Sequence, residues 1–403
     1  MRDKLFAIGD KITEYAFYLL LFYIPISKAA VESFAGFIIL GFAIKKFSRP
    51  DFKFLFNIPN FFLLIFIIFN ALSLFNSGEY LAKSLTALCF KWFEYLLVFI
   101  IVQDFPIDKK RIRNILLVIL FSAFLLSIDG IVQKFTGFEF LRHKEIVEII
   151  KGSGNFAITS SFNHYNDFGA YLIIMLSIVL ALISSVDLRR VYKGFLAILG
   201  LLLIVCLIFT LSRGAWLGFI CAAMTLLIIA NQKRSTLIIL FIFLSVMVFL
   251  PQVRLRNLDT FLLHGDADRF IIWKGAIQMI SENPFLGKGV GTFMDHFAAY
   301  IPNIYVQYAH NSYLQIWAET GVFSLISFLA FLFFILYSGI KSFREHRNYF
   351  LLGIIGGISG FLVHNLFDTH LYSLQLSFIF WVMLGLLAAL SRDKHSLSGL
   401  NKA

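Results

Sequence analysis

Apolar residues fall in runs of about 20, the length a helix needs to cross a bilayer, and polar stretches separate them. The runs begin near residues 12, 30, 58, 82, 112, 164, 191, 213, 234, 310, 348 and 370. The pattern predicts an all-α integral membrane protein of about twelve transmembrane helices, forming a single polytopic domain over residues 1–403. Arg2 to Lys11, followed by an apolar stretch to Ile26, has the outline of a signal peptide, with a cleavage-like Ser27 to Ala30. Further spans follow at once, so the segment reads as an uncleaved first helix.

Two segments break this rhythm, the external loop 134–163 and a larger loop 251–309 between helices 9 and 10. Loops longer than about 12–15 residues are uncommon unless they carry function or are disordered. Both are too aromatic for disorder. The second loop holds its own helix signal: Asp268 as cap, then Trp273, Ala276, Ile277 and Ile280 at i, i+3, i+4 and i+7. This short helix is expected on the membrane surface. Asn283-Pro284 ends it, and Gly287, Gly289 and Gly291 predict a flexible turn before the chain returns to the bundle.

Composition agrees: 59% of residues are hydrophobic and mean hydropathy is +0.82, which excludes a water-soluble domain. The net charge of +11 does not point to nucleic acid, because the basic residues lie in short groups between apolar runs. Well over half of the 35 lysines and arginines fall in segments 1–11, 45–57, 104–113, 187–193, 231–235, 341–347 and 391–403. By the positive-inside rule these are cytoplasmic, with both termini, and the two long loops are external. Cys89, Cys206 and Cys221 sit inside apolar runs and read as packing residues.

Few polar residues interrupt the spans, so each bears scrutiny. Arg213, in Leu-Ser-Arg-Gly-Ala-Trp, stands between two spans at the external face. Arginine at that depth is costly, and its fixed charge and fork of donors suit phosphate; the plainer reading is an arginine snorkelling to lipid phosphate. Gly214 and Gly218 form a small-xxx-small pair for close helix approach. His310 precedes a capping-box spacing from Ser312 to Gln315, which places it at a helix mouth, where an imidazole can take up a proton near neutral pH. Asn311, Gln315 and Glu319, four apart, form one polar stripe turned into the bundle, with Glu319 expected to orient or assist His310. Arg269 neighbours Asp266 and Asp268, so a local salt bridge is its bland reading. His364 and Asp368 share a predicted helix face near His370, and turn polarity explains them better than a metal site does. Gly287-Lys288-Gly289-Val290-Gly291 lacks the strand-turn-helix setting of a dinucleotide loop.

In this order the motifs are specific. Ser-Phe-Asn-His-Tyr-Asn-Asp-Phe-Gly-Ala-Tyr-Leu at 161–172, Leu-Ser-Arg-Gly-Ala-Trp at 211–216, Arg269 with Trp273, Asn-Pro-Phe-Leu-Gly-Lys-Gly at 283–289 and His-Asn-Ser-Tyr-Leu-Gln at 310–315 together resemble the O-antigen ligase and polymerase superfamily of bacterial inner-membrane glycosyltransferases, over essentially the whole chain. The resemblance implies a GT-C-like, twelve-helix fold with cytoplasmic ends and a large periplasmic loop containing short helices. It also implies transfer of a glycan from an undecaprenyl pyrophosphate carrier to a sugar hydroxyl of lipid A-core or another glycan acceptor, with no cofactor or required metal. On this resemblance Arg213 and Arg269 hold the pyrophosphate and His310 assists catalysis. Asn163, Asn166 and Asp167 match a recurrent family segment and read as donor contacts or as helix-mouth caps; Asn311, Gln315 and Glu319 are further substrate-contact candidates.

Ligation of O-antigen to lipid A-core is the favoured activity, with polymerisation of the same lipid-linked glycan as the nearest alternative. A transporter is the reading from another class. Its spans are commonly interrupted by Gly or Pro near the midplane, whereas all seven prolines here lie in loops or near span ends.

Overall fold

The computed structural model describes residues 1–143, 147–150, 155–185, 188–230, 237, 240–241, 243–245, 267–302 and 306–392. The helices are α1 (Arg2–Tyr23), α2 (Lys28–Ser48), α3 (Ile58–Leu72), α4 (Leu81–Ala87), α5 (Phe93–Asp104), α6 (Lys109–Thr136), α7 (Tyr165–Ile183), α8 (Arg190–Phe209), α9 (Arg213–Ala230), α10 (Ala267–Glu282), α11 (Phe293–Phe297), α12 (Ser312–His346), α13 (Tyr349–His364) and α14 (Leu374–Arg392). Among the described residues, eight helical segments are long and apolar enough to cross a membrane. The chain is an all-α membrane protein with one small addition, a two-stranded antiparallel ribbon of β1 (Val147–Ile150) and β2 (Asn155–Ala157) in the first long loop. The span expected near residue 234 lies mostly outside the described residues.

Two helices are apolar on every side and occupy the interior, as such helices must. In α7 every residue from Phe168 to Ala181 is buried, enclosed by α8, α9 and α13. In α14 the residues from Gln375 to Leu387 are buried, with α5 and α12 against it. Phe56, Phe75, Phe195 and Ile228 point outward, as lipid-facing side chains do. The expected close approach at Gly218 is present: a Cβ there would lie 2.7 Å from the Gly360 carbonyl oxygen, so α9 and α13 meet backbone to backbone.

One end of the bundle is tied by charge. Lys45 and Lys46 each lie 2.9 Å from Asp104, and Arg111 pairs with Asp10 at 2.5 Å and Glu14 at 2.8 Å, joining α1, α2, α5 and α6. Arg392, at the end of α14, stacks over Phe54 at this same end.

Toward the opposite end two spans depart from regular α-helix without any proline. Residues Leu88–Trp92 form a π-turn between α4 and α5. Helix α12 breaks at Gly321, whose φ of 83° and ψ of 171° are non-helical. The 283–289 segment fills this break: Val322 N–H donates to Pro284 O (2.9 Å), and Lys288 and Gly289 N–H donate to Ala318 O (3.0 Å) and Glu319 O (2.8 Å). Backbone groups freed within a span are thereby satisfied by protein. Gly287, Gly289 and Gly291 have positive φ but do not form the flexible turn expected. A Cβ on Gly287 would fall 2.3 Å from the Glu319 carbonyl carbon, and one on Gly289 2.2 Å from Ser77 Oγ, so the turn is wedged in place.

Three further expectations need correction. The buried face of α10 comprises Ile272, Ala276, Met279 and Ile280, which pack with Leu314, Trp317 and Ala318. Ile277 is exposed, because the direction of α12, rather than the apolar pattern alone, selects the face. The N-cap of α12 is Asn311, whose side chain accepts from Tyr313 and Leu314 N–H, both at 3.0 Å; Ser312 is the first helical residue. Helix α13 ends at His364, so Asp368 lies in the following turn and shares no helix face with it. The Asp268 cap and the Asp266 and Asp268 partners of Arg269 concern side chains outside the described residues.

Candidate functional site

The site lies where α7, α9 and α12 begin and α13 ends. Two non-glycine residues at its entrances sit in the left-handed region, Leu211 (φ 53°) and His310 (φ 48°). Such backbone costs on the order of 1–3 kcal/mol and persists only where its surroundings impose it. At Leu211 the bend turns the chain from α8 into α9, and Ser212 Oγ then accepts from Ala215 N–H at 3.3 Å, so α9 opens toward the site with Arg213 as its first residue.

Arg213 and Arg269, 56 positions apart in sequence, line one pocket, together with Tyr165, Asn166, Ser212, Gly214 and His364. Two guanidinium groups and the N-terminal end of a helix therefore share one concavity, an arrangement that favours anions. Gly214 leaves this pocket open to His364, since a Cβ there would lie 2.7 Å from the His364 Cδ2.

From this pocket a chain of polar contacts leads to His310. Asn166 Nδ2 donates to Asp368 Oδ2 at 2.6 Å, and His310 Nδ1 lies 3.2 Å from Asp368 Oδ1. Asp368 is thus the shared partner of two expected site residues. Burial pushes its carboxyl up, but the His310 hydrogen bond and the fields of His370, His310 and His364 outweigh this and hold it well below the usual carboxylate range. An ionised carboxylate can only accept, so the Nδ1 that faces it is the donor, and in the neutral imidazole Nε2 is then the nitrogen left to take a proton. The turn carrying Asp368 is fixed to α12: Ser312 N–H donates to Asn365 O at 2.9 Å and Ser312 Oγ donates to Asn365 Oδ1 at 2.6 Å.

The backbone just before His310 is held from both sides. Trp273, one turn beyond Arg269 on α10, donates from Nε1 to Ala309 O at 3.1 Å. Gln315 Oε1 accepts from Ala309 N–H at 2.9 Å. The loop helix that carries one arginine is thereby fastened to the residue preceding the histidine.

The other expected residues take different places. Asp167 Oδ1 lies 3.3 Å from His370 Nδ1, and Asn163 is exposed at the mouth of α7. Asn311 caps α12. Glu319 does not contact His310, as was expected of it. It is buried and accepts from Gly291 N–H (2.8 Å), Phe293 N–H (3.2 Å), Gln315 Nε2 (3.1 Å) and Tyr372 Oη (2.9 Å). This carboxylate locks the loop against the broken helix.

Residues 198–329 match the O-antigen ligase family model. The matched stretch runs from α8 into α12 and contains Arg213, Arg269, His310, Asn311, Gln315 and Glu319. It supports the O-antigen ligase and polymerase superfamily, and with it ligase- or polymerase-type function in general. Asn163, Asn166, Asp167 and Asp368 lie outside the O-antigen ligase match. No curated protein matches the chain.

Proposed function

We propose that the protein is an O-antigen ligase of the bacterial inner membrane, transferring a glycan from undecaprenyl pyrophosphate to lipid A-core at the periplasmic face. The observation that carries this reading is the common pocket of Arg213 and Arg269, joined through Asn166 and Asp368 to His310.

The chemistry suits these groups. The acceptor hydroxyl oxygen attacks the anomeric carbon from the side opposite the leaving group, and its proton passes to His310 Nε2 as the new glycosidic bond forms. The bond from the anomeric carbon to the pyrophosphate oxygen breaks, and that oxygen takes the electron pair. Arg213, Arg269 and the N-terminus of α9 meet the negative charge that develops there. Asp368 holds the imidazole in its acceptor tautomer and stabilises the imidazolium. Single displacement inverts the anomeric configuration.

Orientation follows from the charge pattern: the basic segments and both termini are cytoplasmic, and the arginine pocket opens to the periplasm, where the carrier-linked glycan is presented. The test is transfer by the purified protein from an undecaprenyl pyrophosphate glycan, offered separately to lipid A-core and to a second carrier-linked glycan. Product on lipid A-core supports the ligase, extension of the carrier-linked chain assigns the polymerase, and substrate uptake into proteoliposomes without any transfer revives the transporter.

A further inference from the structure

A second concavity is bordered by Gly291, whose N–H donates to the Glu319 carboxylate. Ala82, Lys83, Thr86, Ala87, Lys91 and Gly291 line it, and its volume of about 400 Å³ falls within the range of small-molecule sites. The two lysines reach it because of the π-turn. In a regular helix, at about 100° per residue, Lys91 would stand some 80° around the axis from Lys83. Lys91 lies within the wide turn over Leu88–Trp92, whose larger number of residues per turn swings it back toward the Lys83 face, and both lysines line the same concavity. Helix irregularities of this kind are concentrated at functional positions.

The pocket is built for a compact anion. Small residues form its floor, and Gly291, with a positive φ of 75°, closes it from the loop side; a Cβ at that position would lie 2.5 Å from that of Ala87. Lys83 Nζ donates to Asp295 Oδ1 at 2.8 Å, but the lysine is about half exposed, and such pairs are weak enough to exchange for a stronger anion. Lys91 is an exposed charge in a span that is apolar on average but also carries Lys83 and Glu94, and ionisable residues within spans tend to mark ligand paths.

The pocket is also coupled to the reaction site. Gly291 N–H donates to Glu319, Gln315 Nε2 donates to the same carboxylate, and Gln315 Oε1 accepts from Ala309 N–H. Three hydrogen bonds thus connect the pocket wall to the residue preceding His310. We infer that Lys83 and Lys91 form a subsite for a phosphate group on the acceptor glycolipid, seated against the Gly291 wall that these hydrogen bonds tie to the reaction site. The inference rests on the glycosyl-transfer reading for the identity of its ligand.

The test separates binding from transfer. Full-length protein in phosphatidylcholine nanodiscs is titrated with fluorescent lipid A-core carrying its phosphates, and with the same glycolipid after their chemical removal. The expected result is roughly tenfold tighter binding of the phosphorylated form, the advantage disappearing in Lys83→Ala/Lys91→Ala. Lys83→Gln/Lys91→Gln, checked for an unchanged elution profile, serves if the alanine variant does not fold. Equal binding of the two glycolipids by wild type, or an advantage retained in the double variant, overturns the subsite. Equal competition by phosphatidylglycerol included in the disc overturns it too, by assigning the lysines to bulk anionic lipid. Phosphate-dependent binding by a wild-type protein that transfers no glycan leaves the subsite standing and removes the ligase reading instead.

Discussion

His310 Nδ1 lies 3.2 Å from Asp368 Oδ1, across 58 positions of sequence, while the other oxygen of that carboxylate accepts from Asn166. One acidic side chain thus joins the helix mouth that carries the imidazole to the one that borders the arginine pocket. Asp368→Asn keeps the shape but removes the charge that fixes the imidazole tautomer. Transfer by this variant is expected to fall by roughly 10²–10⁴ in kcat, the range of a general-base contribution, with little change in donor KM. Steady-state kinetics on purified protein of wild-type elution volume checks this.

The Asp368 carboxyl is held below its ordinary range, which fixes the sign of a pH effect. A depressed carboxylate contributes stability that is present above the unfolded value of about 3.9 and is lost only as pH falls through the lower folded value. The melting-temperature difference between wild type and Asp368→Asn in micelles is therefore expected to persist from pH 8 to pH 5, because the carboxyl stays ionised throughout, and any proton taken up by the imidazoles facing it can only enlarge that difference toward pH 5. A difference that vanishes between those values contradicts an ionised Asp368.

Arg213 and Arg269 face one pocket and are expected to act as a unit. Lysine keeps the charge but not the planar fork, so Arg213→Lys is expected to recover only a small part of what Arg213→Ala loses. The Arg213→Ala/Arg269→Ala double variant is expected to lose less than the two single losses combined, because both address the same ligand. Measuring kcat/KM for the donor across the cycle checks this; full additivity separates the two residues.

Gly321 carries the break in α12, and a Cβ there would lie 1.9 Å from the Phe285 carbonyl oxygen, a backbone atom that cannot swing aside. Gly321→Ala is expected to destabilise the protein by about 2 kcal/mol or more, from positive-φ strain together with the clash. Thermal unfolding in detergent reads this as a lowered midpoint, and an unchanged midpoint shows that the break relaxes.

Much of this arrangement was legible in the residues. Arg213 and His310 stand out because a cation or imidazole beside an apolar run has few structural reasons to be there, and Gly218 announced the close crossing that Gly360 completes. Asp368 gave no comparable signal: a turn acid between two spans looks like ordinary surface polarity until the ends of α7 and α12 are brought to it. The break at Gly321 and the π-turn at Leu88–Trp92 were hidden because no proline marks either, and the groups freed by the break are satisfied by a segment distant in sequence. Of the Asn311, Gln315 and Glu319 stripe, Gln315 and Glu319 are buried as expected whereas Asn311 caps the helix, and periodicity could not reveal that Glu319 meets Gly291 of the glycine turn while Gln315 holds Ala309. The exposed Ile277 makes the same point for α10.

The central claim is that two guanidinium groups grip a diphosphate while His310 accepts the incoming hydroxyl's proton. Transfer from undecaprenyl pyrophosphate glycan to lipid A-core by purified Arg213→Ala and His310→Ala proteins, each eluting as wild type, tests it most directly. Rates at least roughly 100-fold below wild type are expected for both. Wild-type rates in either variant would contradict the account.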